Sequence, residues 1–328
     1  MSDLVSIIIP VYNRSALLRR AVASAIAQTY RPIEVIIVDD GSTDDTPRAI
    51  TELATSHAEI RPTAQRNGGP GLARETGRQA ARGNFIQYLD SDDLLLPTKL
   101  EKMVAALEND SGAGVAYCRA RYRDPAGTEI QCTWKTPMDG QTAIFPHFLL
   151  GRLWETVTPL YRRSVTDAAG PWTGLRLEED WEYDSRIGAL NPKLTFVREV
   201  LAEHHADATE RLSRGDALDP ERLADRAEAH VRIYGHALAA GSDAESREMQ
   251  HYARELFHLA RQTGAAGLEV DSQRLFLLAR EASGSRGNRL EFRLYAAVAR
   301  FTGWTAAGRI AGLRDRVLRK KRKTDGFR

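Results

Sequence analysis

The chain has 328 residues, 42% of them hydrophobic and 27% charged, with a net charge of +2, which is enough apolar material for a sizeable core and too little bias for a polyelectrolyte. No segment reaches the roughly 18 consecutive apolar residues needed to cross a bilayer, and Val5-Ser6-Ile7-Ile8-Ile9-Pro10-Val11-Tyr12 is too short and too proline-broken for a signal peptide. Cys118 and Cys132 lack CxxC spacing and histidine partners, so zinc or dithiol chemistry is not indicated; both are expected reduced, in a cytoplasmic protein.

Ser6 to Val11 and Glu34 to Val38 are β-branched runs that read as strands. Between them, Ala16 to Gln28 sets Leu17, Leu18, Ala21, Val22, Ala25 and Ile26 on one stripe, the pattern of an amphipathic helix. A helix over Thr43 to Ala54, a strand near Glu59 to Ala64, a helix over Gly71 to Ala81 and a strand over Asn84 to Leu89 follow. This alternation predicts an α/β fold with a mainly parallel sheet covered on both faces, whose ligands sit at the carboxyl ends of the strands.

Three polar clusters fall at those ends: Tyr12-Asn13, Asp39-Asp40-Gly41-Ser42 and Asp90-Ser91-Asp92-Asp93. Carboxylates as close as Asp90, Asp92 and Asp93 repel one another, and a divalent metal carrying a diphosphate would neutralise them. Each cluster also has a plainer reading: Tyr12 as a core aromatic, Asp39 to Ser42 as a turn with a helix cap, and the Asp90 cluster as a solvated acidic turn.

Residues 101–207 read as a second half of the same domain, with strands predicted at Gly114 to Tyr122 and Thr195 to Val200. From Asp219 onward Ala, Arg, Glu and Leu dominate and no strand pattern appears, so residues 208–328 are expected to form an extension of four or five helices. Ser242 with Glu245 reads as a capping box, and the segments around Phe257 and Phe276 suit a helical hairpin. Residues 309–328 hold nine Lys or Arg against two Asp, a local +7 that leaves −5 for the rest of the chain.

The runs Val5 to Asn13, Val38-Asp39-Asp40-Gly41-Ser42-Thr43-Asp44 and Gly83 to Asp93, in that order and spacing, resemble the inverting family 2 glycosyltransferases of the GT-A fold. The resemblance covers about residues 4 to 205 and implies a Rossmann-like nucleotide-sugar-binding half over residues 1–100 and an acceptor half over 101–207. It implies that Pro10, Val11 and Tyr12 hold the nucleobase, with Asp40 reading a base edge. Asp90 and Ser91 would reach the ribose, and Asp92 with Asp90 would bind Mn²⁺ or Mg²⁺ as the family's DxD motif.

Arg74, in Gly68-Gly69-Pro70-Gly71-Leu72-Ala73-Arg74, resembles the family's Ala-Arg after a glycine turn and would pair with the nucleotide or its phosphates. A dinucleotide fingerprint is rejected there, because the turn lacks the final small residue and does not follow the first strand. Glu178-Glu179-Asp180-Trp181-Glu182-Tyr183-Asp184 resembles the family's Glu-Asp motif, which implies Asp180, or failing it Glu179, as general base on the acceptor hydroxyl, with Arg186 matching further on. Without the resemblance these acids read as a helix N-terminus favoured by the dipole. His204, beside His205, is a candidate for the metal or a phosphate, or one of a pair of surface histidines, and Arg211 is a candidate phosphate contact.

The expected activity is therefore metal-dependent, inverting transfer of a sugar from a UDP, dTDP or GDP sugar to a hydroxyl of a glycan or lipid-linked acceptor, as in polysaccharide biosynthesis. The alternatives are a non-catalytic nucleotide-sugar-binding or partner-docking protein of the same fold, and a nucleotidyltransferase, for which the basic glycine-rich loop after the first strand is missing. Ile310, Leu313 and Val317 among the tail's basic residues have the composition of a helix lying on an anionic membrane, at the inner face. A terminal helix packed on the core is the other reading, and nucleic acid is not an expected partner.

Overall fold

The protein is described by a computed structural model covering residues 3–124, 126–130, 139–205, 219–287 and 289–325, with side chains described as far as Leu313. Arg211 and Cys132 lie outside the described residues. Strand β1 (Val5–Val11) is buried along its whole length. It forms the middle of a parallel block with β2 (Ile33–Asp39), β3 (Ile60–Ala64) and β4 (Phe85–Tyr88), in the order β3-β2-β1-β4. Strands that must be apolar on both faces read as continuous hydrophobic runs, as these do.

The faces of β1 are divided between helices. Leu18, Ala21, Val22 and Ala25 of α1 (Ser15–Ile26) join Ile7 and Ile9 in one core cluster. The other face meets α3 (Pro70–Ala80), where a Cβ on Gly77 would lie 2.3 Å from Ile8 Cγ2, so only glycine allows that approach. Helix α2 (Thr46–Ser56) links β2 to β3. Register pairs Val11 with Asp39 and Ile8 with Tyr88, which brings the ends of β1, β2 and β4 to one edge.

Beyond β4 the sheet becomes mixed. Strand β8 (Leu160–Arg162) runs antiparallel between β4 and β6 (Ala113–Arg123). Strand β9 (Lys193–His205) is parallel to β6, and the two-residue β5 (Leu94–Leu95) is antiparallel to β9. A further two-residue strand, β7 (Glu129–Ile130), pairs with β6. The predicted strands at 114–122 and 195–200 are thus present and longer, whereas β5, β7 and β8 are too short to leave a periodic signal. Helices α4 (Lys99–Asn109), α5 (Arg163–Ala169) and α6 (Glu179–Ala189) complete this part.

The chain divides into two compact units, Met1–Arg211 and Leu212–Arg328. Among the described residues the second unit contains helices α7 (Pro220–Ala239), α8 (Arg247–Ala265), α9 (Glu269–Ala282) and α10 (Leu290–Asp325), the last broken at Gly303, whose φ is 84°. Phe257 of α8 and Phe276 of α9 have ring centroids 6.0 Å apart. The capping box expected at Ser242 and Glu245 is displaced: Ser246 caps α8, its Oγ accepting the Met249 N–H. The Glu245 carboxylate accepts the Ser285 N–H instead, a partner 40 residues away that local spacing does not encode.

Candidate active site

The ends of β1 and β2 are tied together by short polar links. Asn13, with φ 52°, accepts the Thr43 N–H at Oδ1 (2.7 Å), and its own N–H donates to Ser42 Oγ (2.9 Å). Pro10 and Val11 are buried in β1, and Tyr12 immediately after them is 45% exposed, its ring free of the core. Asp40 is buried and engaged at both oxygens: Oδ1 accepts Gln65 Nε2 and the Gly68 N–H, and Oδ2 accepts the Gly69 N–H, all at 2.8 Å. Asp40 thereby fastens the glycine turn that starts α3, because amide donors converge there from 25 to 29 residues downstream.

That turn aims Arg74 at two carboxylates. Only 3% exposed, Arg74 donates from Nη2 to Asp90 Oδ1 (2.7 Å) and from Nη1 to Glu179 Oε1 (2.8 Å), with its guanidinium 4.8 Å above the Trp172 ring. Trp172 in turn stacks on Tyr183 of α6 at 3.9 Å. The approach is tight, since a Cβ on Gly71 would lie 2.1 Å from the Thr173 carbonyl oxygen. One buried cation thus joins the end of β4 to the first residue of α6, Glu179, which lies 105 residues beyond Arg74.

Electrostatics follow from this pairing. Burial works against the Arg74 charge, yet Asp90 and Glu179 outweigh it and hold the guanidinium protonated. Burial likewise opposes the Asp90 charge, and Arg74 overcomes it, keeping that carboxyl below its ordinary value. Asp92 is raised, by burial and then by the Asp90 charge, with Arg14 opposing at 2.9 Å. Glu179 is pushed to about 7 by burial and by neighbouring Asp180, against the pull of Arg74. Ser91 is buried between the carboxylates.

Asp93 is raised to about 7 by burial. It holds His204 through Nδ1 (2.9 Å) and raises the imidazole to about 9, overcoming the burial that lowers it. His204 thus pairs with Asp93 through one of its two ring nitrogens. It reaches Asp93 because β5, directly after the acidic cluster, pairs with β9 at Ala202 and Glu203. Arg186, matched to the family pattern, straps α6 by pairing with Glu182 (2.7 Å) and donating to the carbonyls of Ala169 and Pro171.

Helix α6 opens after Glu178, whose φ of 61° turns the chain into it, and so places Glu179 and Asp180 in the first turn. Asp180 accepts Arg152 Nη1 at Oδ2 (2.7 Å) and its side chain is 29% exposed. Sequence reasoning passed over Arg14 and Arg152, whose only signal was a basic residue in a loop.

The family model for glycosyl transferase family 2 matches residues 6–166. An uncharacterised glycosyltransferase of Nostoc is 30% identical over 225 residues, spanning 65% of this chain and 70% of that protein. The chain belongs to glycosyltransferase family 2.

Chondroitin synthase of Escherichia coli is 36% identical over 183 residues, which are 54% of this chain and 26% of that much longer enzyme. Among solved structures, Staphylococcus aureus TarS in complex with UDP-GlcNAc superposes with a TM-score of 0.67 at 20% identity, over 93% of this chain and 89% of that one. Mannosyltransferase PcManGT of Pyrobaculum calidifontis, in complex with GDP-Man and Mn²⁺, gives 0.52 at 18% identity, over 96% and 88% of the two chains. These likenesses establish the fold. The chain carries the GT-A architecture of that family.

Proposed function

We propose that the enzyme moves a sugar from a nucleoside diphosphate sugar to an acceptor hydroxyl with inversion, using Asp180 as general base. The observation that carries this reading is the Arg74 bridge, which sets Glu179 and Asp180 beside Asp90 on the sheet edge that holds Tyr12. The exposed Tyr12 ring offers a stacking face to the base, with Asp90 and Ser91 near the ribose. As the acceptor oxygen bonds to C1, its proton passes to Asp180. The C1–O bond to the diphosphate breaks, and the nucleoside diphosphate leaves with the electron pair. Attack from the side opposite the leaving group inverts C1. The UDP-GlcNAc and GDP-Man complexes of the structural neighbours support a nucleotide-sugar donor.

The donor set suits a hard divalent ion, Mn²⁺ or Mg²⁺. Asp92 and Asp90 present oxygens, and Asp92 carries a carboxylate disfavoured by burial and by Asp90, which a cation would relieve. No group of three metal-ligating side chains is gathered among the described residues, so such an ion would take most of its ligands from the diphosphate, whose departing charge it would stabilise. Glycans and lipid-linked saccharides are the acceptors proposed. A cavity of about 430 Å³, lined by Tyr117, Trp154, Glu155, Phe196 and Val200, lies on the β6 and β9 side and is large enough for a saccharide unit.

The helical unit adds a proposed contact with an anionic membrane surface. No helix of the described residues is long and apolar enough to cross a membrane. Helix α10 nevertheless exposes Leu290, Leu294, Phe301, Ile310 and Leu313, with Phe301 at 85%, and leads into the basic run at 314–328. Sedimentation with vesicles containing phosphatidylglycerol, lost on Phe301→Glu and in vesicles of phosphatidylcholine alone, supports that contact, and equal binding to both rejects it.

The donor reading is tested by titrating UDP, GDP and dTDP calorimetrically, each with and without Mn²⁺. One nucleotide is expected to bind, about tenfold more tightly with metal. Failure of all three overturns the donor site.

A further inference from the structure

A carboxylate that accepts a proton at one defined point must itself be held, and the structure holds Asp180 through a chain of buried groups. Arg152, with an 11% exposed side chain, donates from Nη1 to Asp180 Oδ2 (2.7 Å) and from Nη2 to Thr156 Oγ1 (3.1 Å). Its Nε–H donates to Asp184 Oδ2 at 2.9 Å, with Nη2 equally close to the same oxygen. Asp184 is buried and over-determined: Trp154 Nε1 donates to Oδ2 (3.0 Å) and Tyr161 Oη to Oδ1 (2.7 Å). The side-chain donors named here, from Arg152, Trp154 and Tyr161, come from the 152–161 segment, and both carboxylates come from successive turns of α6. Asp180 Oδ1 accepts the N–H of Trp181 (2.7 Å) and retains a second lone pair, in a side chain that is 29% exposed.

We propose that Arg152, clamped by Asp184, is the positioning residue of the general base. This rests on the Asp180 reading given above. The fork of Arg152 fixes one oxygen of Asp180, so the other is presented to the acceptor hydroxyl in a single orientation. Asp184 acts at one remove, holding the guanidinium in the plane that Asp180 needs. A buried arginine serving only to neutralise charge would require no such planar arrangement, since any cation at that distance would suffice. Proximity and orientation are worth large factors in rate, and a base displaced by about 1 Å loses on the order of 100-fold. Trp154, which lines the cavity of about 430 Å³, also donates to Asp184, so the wall of the proposed acceptor cavity and the clamp on the base share a residue.

The test measures release of nucleoside diphosphate, with water as acceptor, from UDP-GlcNAc, GDP-mannose and dTDP-glucose in parallel with nucleotide affinity by calorimetry. Arg152→Ala is expected to lower kcat about 100-fold with nucleotide Kd changed less than twofold, and added guanidinium ion is expected to restore about tenfold of the loss where equal NaCl does not. Arg152→Lys, which keeps the charge and loses the fork, should remain at least tenfold impaired. Asp184→Asn, which can still accept from Tyr161, covers the case in which Arg152→Ala fails to fold, and is expected to lower kcat with nucleotide Kd unchanged.

Full turnover in Arg152→Ala or Arg152→Lys, or a loss that guanidinium leaves untouched, overturns the inference. If Asp180→Asn is inactive at the same time, the base reading survives that result. Turnover retained by Asp180→Asn, or no release by the unmutated enzyme from any of the three donors, removes both.

Discussion

The two halves of the Met1–Arg211 unit assemble their polar groups differently. In the parallel block the groups come in contiguous runs, each at the end of a buried strand, and neighbouring strands bring Tyr12, Asp40 and Asp90 to one edge. In the mixed half no run is sufficient: Arg152, Asp180, Asp184, Tyr161 and His204 come from a loop, a helix and two strands, and long-range ion pairs assemble them. A sheet edge can present one donor class with local motifs alone. A cluster built from distant pairs is free to vary residue by residue, which fits the range of substrates a single fold serves.

The sharpest way to separate the halves is at the base. Asp180→Asn is expected to cost at least about 10³-fold in transfer while nucleotide affinity stays within a factor of two, because the proposed base acts on the acceptor proton and not on the donor. Steady-state turnover beside calorimetry decides it, and unchanged turnover removes Asp180 from the mechanism. Arg74→Met attacks the seam between the halves. It leaves Asp90 and Glu179 without their shared cation and is expected to destabilise the fold by about 3 to 5 kcal/mol in urea titration. A loss below about 1 kcal/mol would show that the bridge is dispensable.

A smaller effect, in the parallel block, is expected of Asp92→Ala, which should abolish the roughly tenfold gain in nucleotide affinity on adding Mn²⁺ and remove the ion pair with Arg14. An unaltered Mn²⁺ response in the calorimeter would place the ion elsewhere. The smallest change is at Lys99, fully buried against Gln87, where burial lowers the amine to about 8. Below pH 8 the lysine is protonated in the folded and unfolded states alike, and the cost of burying the charge is complete. Between pH 8 and its ordinary value of 10.5 the folded state releases the proton first, so stability rises with pH. Lys99→Met should flatten that rise, seen as parallel denaturation midpoints at pH 8 and pH 10; a rise equal to that of the unmutated protein would show the amine is not the cause.

The parallel strands, the helices between them and the helical character of the second unit were legible in the sequence, because period-2 and period-3.6 patterns are local properties of chain segments. The acidic cluster at Asp90 and the acids at Glu179 and Asp180 were legible for the same reason, as short runs next to predicted elements. Strands β5, β7 and β8 were not, since two or three residues carry no period. Nor was the engagement of Asp40 by the glycine turn, of His204 by Asp93, or the cap at Ser246 in place of Ser242. In each case the partner is chosen by whichever donor or acceptor packing brings within about 3 Å, and a buried polar group left unpaired costs too much to persist.

The sequence by itself determined the strand-and-helix alternation, the sheet edge on which the polar clusters gather and the resemblance to the family. Hydrophobic periodicity and contiguous motifs survive any rearrangement of distant parts. Only the tertiary structure decided that Arg74 spans 105 residues to join Asp90 to Glu179, and that Arg152 and Asp184 hold Asp180. Those bonds depend on desolvation and on distances of 2.7 to 2.9 Å, which exist only once the sheet has closed around them.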